Sequence, residues 1–264
     1  MESDRKLRGN LPSAIPASSN PAKQARLRSK IPIAAIIPAY NEAKGIGNVL
    51  GVLRLVDPLV EIIVVDDGSV DGTVEEIQKC LELDPRIRIL RHPENRGKGQ
   101  AIISGWLATE APFLVTLDAD LVGLRPKQVL DLIDPVLGKR ADMTLGLFRH
   151  GHWRTEYSHR VTPWLTGQRC YRAILLKFIA LPAASGYGFE TAITVAARRR
   201  RWRCLRVPLD GVSHPPSESH RGFWKGVVTR SRMYAQIVRA WYLANGWQGM
   251  VTRLKHWASL VLDL

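Results

Sequence analysis

The sequence predicts an α/β protein built on a mainly parallel sheet with helices on both faces. Two observations support this class. Short apolar runs alternate four times in succession with longer segments of helical spacing, beginning at residue 31. This alternation is typical of parallel sheets, in which a helix returns the chain from one strand to the next. Polar residues follow each of the first four strands, and ligands of such sheets bind beyond the carboxyl ends of the strands.

Each strand is predicted from a run of β-branched and aliphatic residues, such as IPIAAII, VEIIVV and PFLVTL, that ends at a polar or glycine-containing turn. The predicted strands cover residues 31–37, 60–65, 86–90, 112–117, 142–148 and 203–209. The segments between them repeat apolar residues at intervals of three and four, which places those residues on one helix face toward the sheet. The predicted helices cover residues 46–56, 72–83, 99–110, 125–137 and 188–202.

Composition divides the chain into three parts. Residues 1–30 are rich in Pro, Ser and Asn, carry seven Lys or Arg against two acids and lack a hydrophobic period, which predicts a disordered basic arm. Residues 31–215 form the predicted α/β domain. Residues 216–264 combine Trp and Tyr with Arg and Lys at helical spacing, which predicts an amphipathic helical extension. Such a helix suits either a membrane interface or the surface of its own domain.

Bulk properties limit the classes of function. The 264 residues carry a formal net charge of +14, with a pI near 10.1, which favours anionic partners: phosphorylated small molecules, an anionic membrane surface or nucleic acid. Three widely spaced cysteines without a CxxC pair argue against a zinc site or a disulfide framework. No apolar signal core or membrane-spanning run is present. We therefore expect a cytoplasmic protein, with peripheral contact on the inner face of the membrane left open.

Two glycine-containing motifs follow predicted strands. In VVDDGSVDGT, Gly68 allows a tight turn and the paired acids can accept hydrogen bonds from a nucleotide base or a ribose hydroxyl. The alternative is structural, with Asp67 and Ser69 capping the turn and Asp71 capping the helix. In ENRGKGQA, Lys98 stands between glycines at a predicted helix start, a combination that suits phosphate. The GxxxxGK[ST] spacing is absent, so a plain loop remains the alternative.

The stretch FLVTLDAD ends a predicted strand on Asp118 and Asp120. Side chains two residues apart in an extended chain point the same way, so two like charges share one face. Oxygen ligands of this kind suit Mg²⁺ or Mn²⁺, with substrate phosphate oxygens completing the shell. The alternative is a surface turn in which water screens both charges. We favour the metal site.

The order of these motifs is more specific than any one of them. IIPAYNEAKGI, VVDDGSVDGT, NRGKGQAI and VTLDAD follow one another between residues 36 and 120 and resemble the family 2 glycosyltransferases of the GT-A fold. Within that family the similarity is closest to the dolichyl- and polyprenyl-phosphate sugar synthases, and it covers residues 31 to 150 best. The resemblance implies a single Rossmann-like domain, a nucleotide-diphosphate sugar donor carrying UDP or GDP, and Mg²⁺ or Mn²⁺ as cofactor.

The resemblance also implies roles for individual residues. The motif after the first strand surrounds the base and ribose, one acid after the second strand contacts the base, and the DxD motif holds the cation against the diphosphate. The residues that match the donor-binding motifs are Pro38, Ala39, Tyr40, Glu42, Asp66, Asp67, Gly68, Asn95, Gly97, Lys98, Asp118, Ala119 and Asp120. The catalytic candidates are Asp118, Asp120 and Glu190.

The sequence departs from the family pattern at Val122. Relatives that act on polyprenyl phosphate often continue the DxD motif with Leu-Gln, and the Gln adds a metal ligand that Val122 cannot supply. His214 is the candidate for a third ligand, since several GT-A enzymes place one late in the chain. The alternative is an ordinary loop histidine.

Two further segments resemble parts of the acceptor region. Glu190 lies where inverting members with hydroxyl acceptors place a general base, whereas a lipid phosphate acceptor needs none and would leave Glu190 to favour the helix start. PWLTGQRCYRA resembles the family's SG-aromatic-arginine segment. Its Arg169 and Arg172 are expected either to bind a phosphate or carboxylate or to be solvated charges on a helix.

Three functions compete on this sequence. The leading hypothesis is a metal-dependent, inverting glycosyltransferase that acts on a polyprenyl phosphate or another lipid, with a small hydroxyl acceptor and Glu190 as base as its variant. A sugar-phosphate nucleotidyltransferase would need a glycine- and basic-rich signature where PAYNEAKGIG stands. A non-enzymatic basic module would use the arm or Arg198–Arg201 to bind membrane or nucleic acid. Nucleic acid is not an expected partner of the enzyme.

Overall fold

The computed structural model describes residues 32–149, 166–179 and 188–215. Within these ranges one seven-stranded sheet has the order β3-β2-β1-β4-β6-β5-β7. The strands are β1 (Ile33–Ala39), β2 (Leu59–Asp66), β3 (Ile87–Arg91), β4 (Phe113–Thr116), β5 (Met143–Arg149), β6 (Arg169–Arg172) and β7 (Cys204–Asp210). The helices are α1 (Ile46–Leu53), α2 (Thr73–Leu83), α3 (Lys98–Leu107), α4 (Pro126–Leu137) and α5 (Gly188–Arg199), with a 3₁₀-helix at Ala173–Phe178.

Strand direction agrees with the predicted class. β1 pairs in parallel with β2 and β4, β2 with β3, and β5 with β7, whereas β6 runs antiparallel to both of its neighbours. The mainly parallel sheet is therefore confirmed. All six predicted strands and the five predicted helices between residues 46 and 202 are present, with ends that differ by at most three residues.

The prediction missed β6. The short segment RCYR begins and ends with Arg, so it lacks the apolar run that indicates a buried strand. Arg169 is nonetheless fully buried, because its guanidinium donates to the carbonyl oxygen of Thr166 at 2.8 Å and to Thr194 Oγ1 at 3.3 Å. The interpretation of Arg169 as a solvated helix charge is wrong, since satisfied donors allow the cation to stay inside the sheet layer.

Alternate side chains of the central strands pack into two hydrophobic cores, one on each face of the sheet. On one face, Ile33, Ala35 and Ile37 pack with the buried faces of α1, α2 and α4. On the other face, Ala34 and Ile36 pack with α3 and α5. Because both faces are covered, the central strands are apolar throughout rather than alternating in polarity. The sheet is thus a rigid layer whose carboxyl edge is free to carry a site.

Arg86 stabilises the loops at the amino-terminal ends of β2 and β3, opposite the carboxyl edge of the sheet. Its guanidinium donates to the carbonyl oxygens of Arg54 at 2.7 Å, Leu59 at 3.1 Å and Val56 at 3.2 Å, and pairs with Asp84 at 2.7 Å. The hydrogen bonds from Arg86 hold the pKa of the Asp84 carboxyl below its ordinary value, against the opposing effect of burial. One side chain thereby joins the loop before β2 to the loop before β3.

We expect Arg86→Met to lower the free energy of unfolding by about 2–3 kcal/mol, since three carbonyls and a buried carboxylate lose a charged donor. Urea unfolding measures this loss. Arg88→Met is the control, because the ion pair that the described residues show for Arg88 is with Glu61 on the surface and should contribute under about 1 kcal/mol. Asp84 stabilises the fold only when ionised. The difference between wild type and Arg86→Met should therefore be full at neutral pH and shrink below about pH 4. Equal stabilities at pH 7 would contradict this role.

Residues 1–30 and 216–264, the predicted arm and helical extension, lie outside the described residues. Among the residues that are described, no helix is both long and apolar enough to cross a membrane. The basic run Arg198–Arg201 closes α5 at the end of the sheet where β7 begins. Since an α-helix rises 1.5 Å per residue, this run lies about 13 Å along the helix axis from Glu190.

Candidate functional site

The polar segments predicted to converge do so at the carboxyl edge of β1, β2, β3 and β4. Direct hydrogen bonds join the loops after β1 and β2. The backbone N–H of Asn41 donates to Ser69 Oγ at 2.9 Å, the N–H of Val70 to Asn41 Oδ1 at 2.9 Å, and the N–H of Glu42 to Thr73 Oγ1 at 2.8 Å. Asn41 takes a φ of 56° to make these contacts. The two motifs therefore form one rigid wall.

The two acids after β2 have different surroundings. Asp66 Oδ1 accepts the N–H of Ser69 at 3.1 Å, and its Oδ2 is 3.2 Å from Arg91 Nε without a hydrogen bond. Asp67 accepts the backbone N–H of Arg96 at 3.0 Å and that of Gly97 at 2.7 Å. Asp67 thus fixes the chain that leads into Lys98, while Asp66 is buried and paired with Arg91.

His92 is part of this arrangement, and sequence reasoning missed it. Its Nδ1 lies 2.6 Å from Asp67 Oδ1 and its Nε2 lies 2.9 Å from Ser104 Oγ. Asp, His and Ser in a row resemble a hydrolase triad, but Ser104 is inside α3, where backbone N–H groups are engaged and cannot form an oxyanion hole. The row is therefore a support for Asp67. The only sequence signal was a histidine directly after a strand.

Other residues of the predicted sugar-donor motifs line the same edge of the sheet. Pro38 and Ala39 end β1, and the carbonyl of Ala39 accepts the N–H of Asp67 at 2.8 Å. Tyr40 is 44% exposed, which leaves its ring free for a ligand. Gly68 has a φ of 77° and rests against the backbone of Glu94 and Asn95, where a Cβ would be 2.7 Å from the nearest atom. The structure therefore brings the first three motifs into contact.

The DxD aspartates meet His214. Asp120 Oδ1 is 2.9 Å from His214 Nδ1, and Asp118 Oδ2 is 3.7 Å from His214 Nε2. One ligand atom from each of the three residues lies within 4.8 Å of the others. His214 is 94 positions from Asp120 in the chain, so the fold brings it to the two aspartates.

Val122 brings His214 to the aspartates through its backbone. The N–H of Val122 donates to the carbonyl of Ser213 at 2.9 Å and the N–H of Ser213 to the carbonyl of Val122 at 3.0 Å, an isolated antiparallel bridge. Gly123 follows with a φ of 78°, and a Cβ there would be 2.3 Å from the carbonyl oxygen of Gly211. The absence of a side chain at Gly123 therefore allows the approach. Phe148 packs edge-on against the His214 ring at 5.1 Å.

Lys98 joins the cluster to Glu190. Its Nζ is 2.6 Å from Asp118 Oδ1 and 3.0 Å from Glu190 Oε1. Glu190 is buried in the first turn of α5, and its Oε2 has no hydrogen-bond partner. Four elements, α3, the loop after β4, α5 and the end of β7, thus contribute to one charged constellation.

The ionisation of these groups follows from their neighbours. Burial favours neutral Lys98, but the charges of Asp118 and Glu190 outweigh it and raise the pKa of Lys98. Burial likewise opposes charge on Asp118, yet Lys98 and His214 lower its pKa to about 2. The pKa of His214 is raised, since its hydrogen bond to Asp120 and the nearby charges exceed the effect of burial. Burial, followed by repulsion from Asp120 and Asp118, raises the pKa of Glu42 to about 7.

The donor set fits a divalent cation. Carboxylate oxygens and an imidazole nitrogen are ligands that Mn²⁺ and Mg²⁺ accept, with carboxylate preferred by Mg²⁺. After burial, repulsion from Asp120 and Asp118 also raises the pKa of Glu42, and a cation would relieve that repulsion. Of the three residues, only His214 comes from outside the DxD segment.

Comparison with known proteins decides the family. The model of the family described as glycosyl transferase family 2 matches residues 34–199. The chain belongs to glycosyl transferase family 2. The predicted family and the predicted glycosyltransferase class of enzyme are confirmed. The sugar-phosphate nucleotidyltransferase and the non-enzymatic binding module are set aside.

Individual relatives support the same family. The chain is 30% identical over 249 residues to the undecaprenyl-phosphate mannosyltransferase of Micrococcus luteus, which covers 84% of this chain and 98% of the relative. It is also 30% identical over 203 residues to the polyprenol monophosphomannose synthase of Mycolicibacterium smegmatis, with 66% of this chain and 75% of the relative covered. Both similarities extend beyond the segment that carries the four motifs.

Solved structures confirm the GT-A fold. Glucosyl-3-phosphoglycerate synthase from Mycobacterium tuberculosis, crystallised with Mn²⁺, UDP-glucose and phosphoglyceric acid, aligns with a TM-score of 0.67 and 22% identity over 88% of both chains. The same enzyme crystallised with Mg²⁺ and UDP aligns with a TM-score of 0.66 over 88% of this chain and 87% of the other. At this identity the similarity concerns the fold.

Proposed function

We propose that this family 2 glycosyltransferase is metal-dependent and transfers a sugar from a nucleotide-diphosphate sugar, UDP or GDP, to a polyprenyl phosphate, with inversion at the anomeric carbon. The observation that carries the proposal is the cluster of Asp118, Asp120 and His214 beside Lys98 at the carboxyl edge of the sheet. The two relatives named for undecaprenyl-phosphate and polyprenol substrates support the acceptor class.

In this proposal each side of the site has its own task. Asp66, Tyr40 and the loop fixed by Asp67 bind the nucleoside. Tyr40 offers an exposed ring and the loop offers fixed backbone groups, whereas the buried Asp66 would exchange its partner Arg91 for a group of the nucleoside. Asp118, Asp120 and His214 would hold Mg²⁺ or Mn²⁺. That cation would neutralise the charge that grows on the diphosphate leaving group. Lys98 supplies a further positive charge on the same side.

The transfer is a single displacement. A phosphate oxygen of the acceptor forms a bond to the anomeric carbon while the bond between that carbon and the donor diphosphate breaks, and the bonding pair leaves with the nucleoside diphosphate. A phosphate monoester has a second pKa near 6, so its oxygen is already anionic at neutral pH and no base is required. The surroundings of Glu190 agree, because Lys98 already binds one oxygen of its carboxylate.

Glu190→Gln separates the two acceptor classes. If the acceptor is a lipid phosphate, the variant should keep transfer within about tenfold of wild type, since it removes one ion pair and no base. If the acceptor is a hydroxyl and Glu190 is the base, the rate should fall by about 10²–10⁴. Initial rates with undecaprenyl phosphate, and separately with undecaprenol, measure both. A 10³-fold loss with the phosphate acceptor would refute the base-free mechanism.

The proposed donor and cofactor are tested by a thermal-shift panel of UDP, GDP and their sugars, each with and without Mn²⁺. A ligand that binds only the native state at a hundred times its Kd stabilises that state by about 2.7 kcal/mol. We expect one nucleotide series to raise Tm only when Mn²⁺ is present. If no combination raised Tm, both the donor class and the metal dependence would be excluded.

We also propose that residues 216–264 bring the enzyme to an anionic membrane surface on its cytoplasmic side, where a lipid acceptor is found. The support is the sequence pattern of Trp224, Tyr234 and Trp241 alternating with Lys225, Arg230 and Arg232. Reversing those three basic charges to Glu should lower binding to vesicles containing anionic lipid by about 3–4 kcal/mol, whereas reversing Arg198, Arg199 and Arg201 at the far end of α5 should change it little. Vesicle co-sedimentation measures both. Equal losses would refute the assignment.

A further inference from the structure

Asp118 is held from two sides. Lys98 Nζ binds its Oδ1 at 2.6 Å, and the amide Nε2 of Gln168 donates to its Oδ2 at 3.0 Å. Gln168 stands just before β6, in the segment PWLTGQRCYRA.

The position of Gln168 is fixed by the sheet rather than by solvent. The side chain is fully buried, its backbone N–H donates to Thr166 Oγ1 at 3.2 Å, and its carbonyl accepts the N–H of Gly146 at 2.8 Å. The amide orientation is also determined by its partner, because the reversed amide would place Oε1 against the Asp118 carboxylate. Gln168 is therefore a rigid donor aimed at one metal-ligand candidate.

Gln168 keeps an unsatisfied acceptor in order to make this contact. Its Oε1 is buried without a hydrogen-bond partner. A leucine or methionine would fill a site of this size without that cost, and buried polar atoms without partners are few in folded proteins and each calls for an explanation. The contact to Asp118 is the explanation that the geometry offers.

The backbone next to Gln168 shapes the same carboxylate. A Cβ at Gly167 would lie 2.5 Å from Lys98 Nζ, 2.6 Å from Asp118 Oδ1 and 3.0 Å from Asp118 Oδ2. The backbone of Gly167 therefore packs closely against the Lys98–Asp118 ion pair. Gly167 and Gln168 together limit the orientations that the Asp118 side chain can adopt.

The two partners of Asp118 differ in charge. This difference decides which of them can orient the carboxylate without weakening its attraction for a cation. Lys98 neutralises the carboxylate and would be repelled by a divalent cation on the same oxygens. Gln168 is neutral, so it can fix the carboxylate while leaving its full charge to the cation. Partners of this kind around a ligand typically matter tenfold to a hundredfold for metal affinity.

We propose that Gln168 is a positioning residue of the cation site: its amide holds Asp118 Oδ2 so that the carboxylate faces Asp120 and His214. This rests on the proposed metal dependence. Gln168→Met removes the donor at nearly constant volume, and Gln168→Asn keeps an amide but withdraws it from Asp118. Thr144→Val is the matched control, because it removes a buried hydroxyl that bonds Leu132 O at 2.7 Å in the same sheet region, away from Asp118.

Mn²⁺ titration followed by electron paramagnetic resonance, on the full chain with and without UDP, gives the Kd, and thermal unfolding gives Tm. Both Gln168 variants should weaken Mn²⁺ binding about tenfold or more, while Thr144→Val leaves the Kd unchanged at a comparable Tm. If Gln168→Met does not fold, Gln168→Asn decides. Wild-type Kd in a folded Gln168 variant, with wild type binding Mn²⁺, overturns the role of Gln168 alone. No Mn²⁺ binding by wild type overturns the metal site together with it.

Discussion

Asp120→Asn is expected to abolish Mn²⁺-dependent donor binding and to lower the rate of transfer by about 10³ or more. The substitution keeps the size of the side chain and removes the charge that both His214 and a cation require. Asp120 Oδ1 is the atom that contacts His214 Nδ1 at 2.9 Å, so the change also weakens the hold on His214, the proposed third ligand. Isothermal titration with the preferred nucleotide sugar, with and without Mn²⁺, measures the loss.

Asp118→Asn should act in the same direction but with a different signature. Lys98 and Glu190 would remain paired at 3.0 Å, but Lys98 would lose its second partner. The pKa of Asp118 is about 2, so the wild-type carboxylate is ionised throughout the range in which the enzyme can be assayed. Any pH dependence of the difference between wild type and Asp118→Asn from about pH 5 to 8 should therefore come from His214, whose raised pKa depends in part on the charge of Asp118.

Asp57→Asn provides the control for both variants. Asp57 is exposed in the loop before β2, at the opposite end of the sheet, so the net charge changes equally while the site is untouched. If donor binding in Asp118→Asn and Asp120→Asn equalled that of Asp57→Asn with Mn²⁺ present, the cluster would not be a metal site, and the proposed function would lose the observation that carries it.

Those parts of the fold that depend on repeated local pattern could be predicted. β1, β2 and β4 are buried on both faces, so their sequences are continuous apolar runs, and the helices between them show a clear period. β6 could not be predicted, because its burial depends on an Arg whose donors are satisfied by residues from β6's own approach and from α5. A pattern of neighbouring residues in the sequence cannot predict which residues will accept hydrogen bonds from this Arg in the fold.

The candidate site divides in the same way. Asp118, Asp120 and Lys98 were found because each lies at a strand or helix end inside a motif. His92 and Gln168 were missed because their importance comes from a partner in another segment, Asp67 for the first and Asp118 for the second. The contacts of Asp67 come from another segment for the same reason. The resemblance implies that either Asp66 or Asp67 contacts the base, and the structure shows Asp67 accepting two backbone N–H groups of the loop before Lys98.

At Val122 the backbone compensates for a side-chain ligand that the family pattern has and this sequence lacks. Its side chain is half exposed and ligates nothing, but its N–H and C=O pair with Ser213 and deliver His214. The question raised by its sequence was which residue supplies the third ligand. The answer depends on how closely the segment after β4 approaches the segment after β7. Gly123 allows the close approach because it has no side chain.

Gly123→Ala is therefore expected to damage both stability and the cation site. The new Cβ would meet the carbonyl oxygen of Gly211 at 2.3 Å, and the φ of 78° is a conformation that alanine adopts at a cost. The Val122–Ser213 bridge must open to relieve the contact, which withdraws His214 from Asp120. We expect a loss of about 2–3 kcal/mol in unfolding free energy and at least about tenfold weaker Mn²⁺ binding.

Gly51→Ala is the matched control for this prediction. Gly51 lies inside α1, with no atom within 4 Å of a Cβ built there, so alanine should raise stability by about 0.5–1 kcal/mol through helix propensity. Urea unfolding and Mn²⁺ titration on both variants separate a general effect of adding a methyl group from the specific one. If Gly123→Ala kept both the stability and the Mn²⁺ affinity of Gly51→Ala, the bridge would not position His214. The Mn²⁺ affinity survives opening of the bridge only if other contacts hold His214 near Asp120 or if another residue supplies the third ligand.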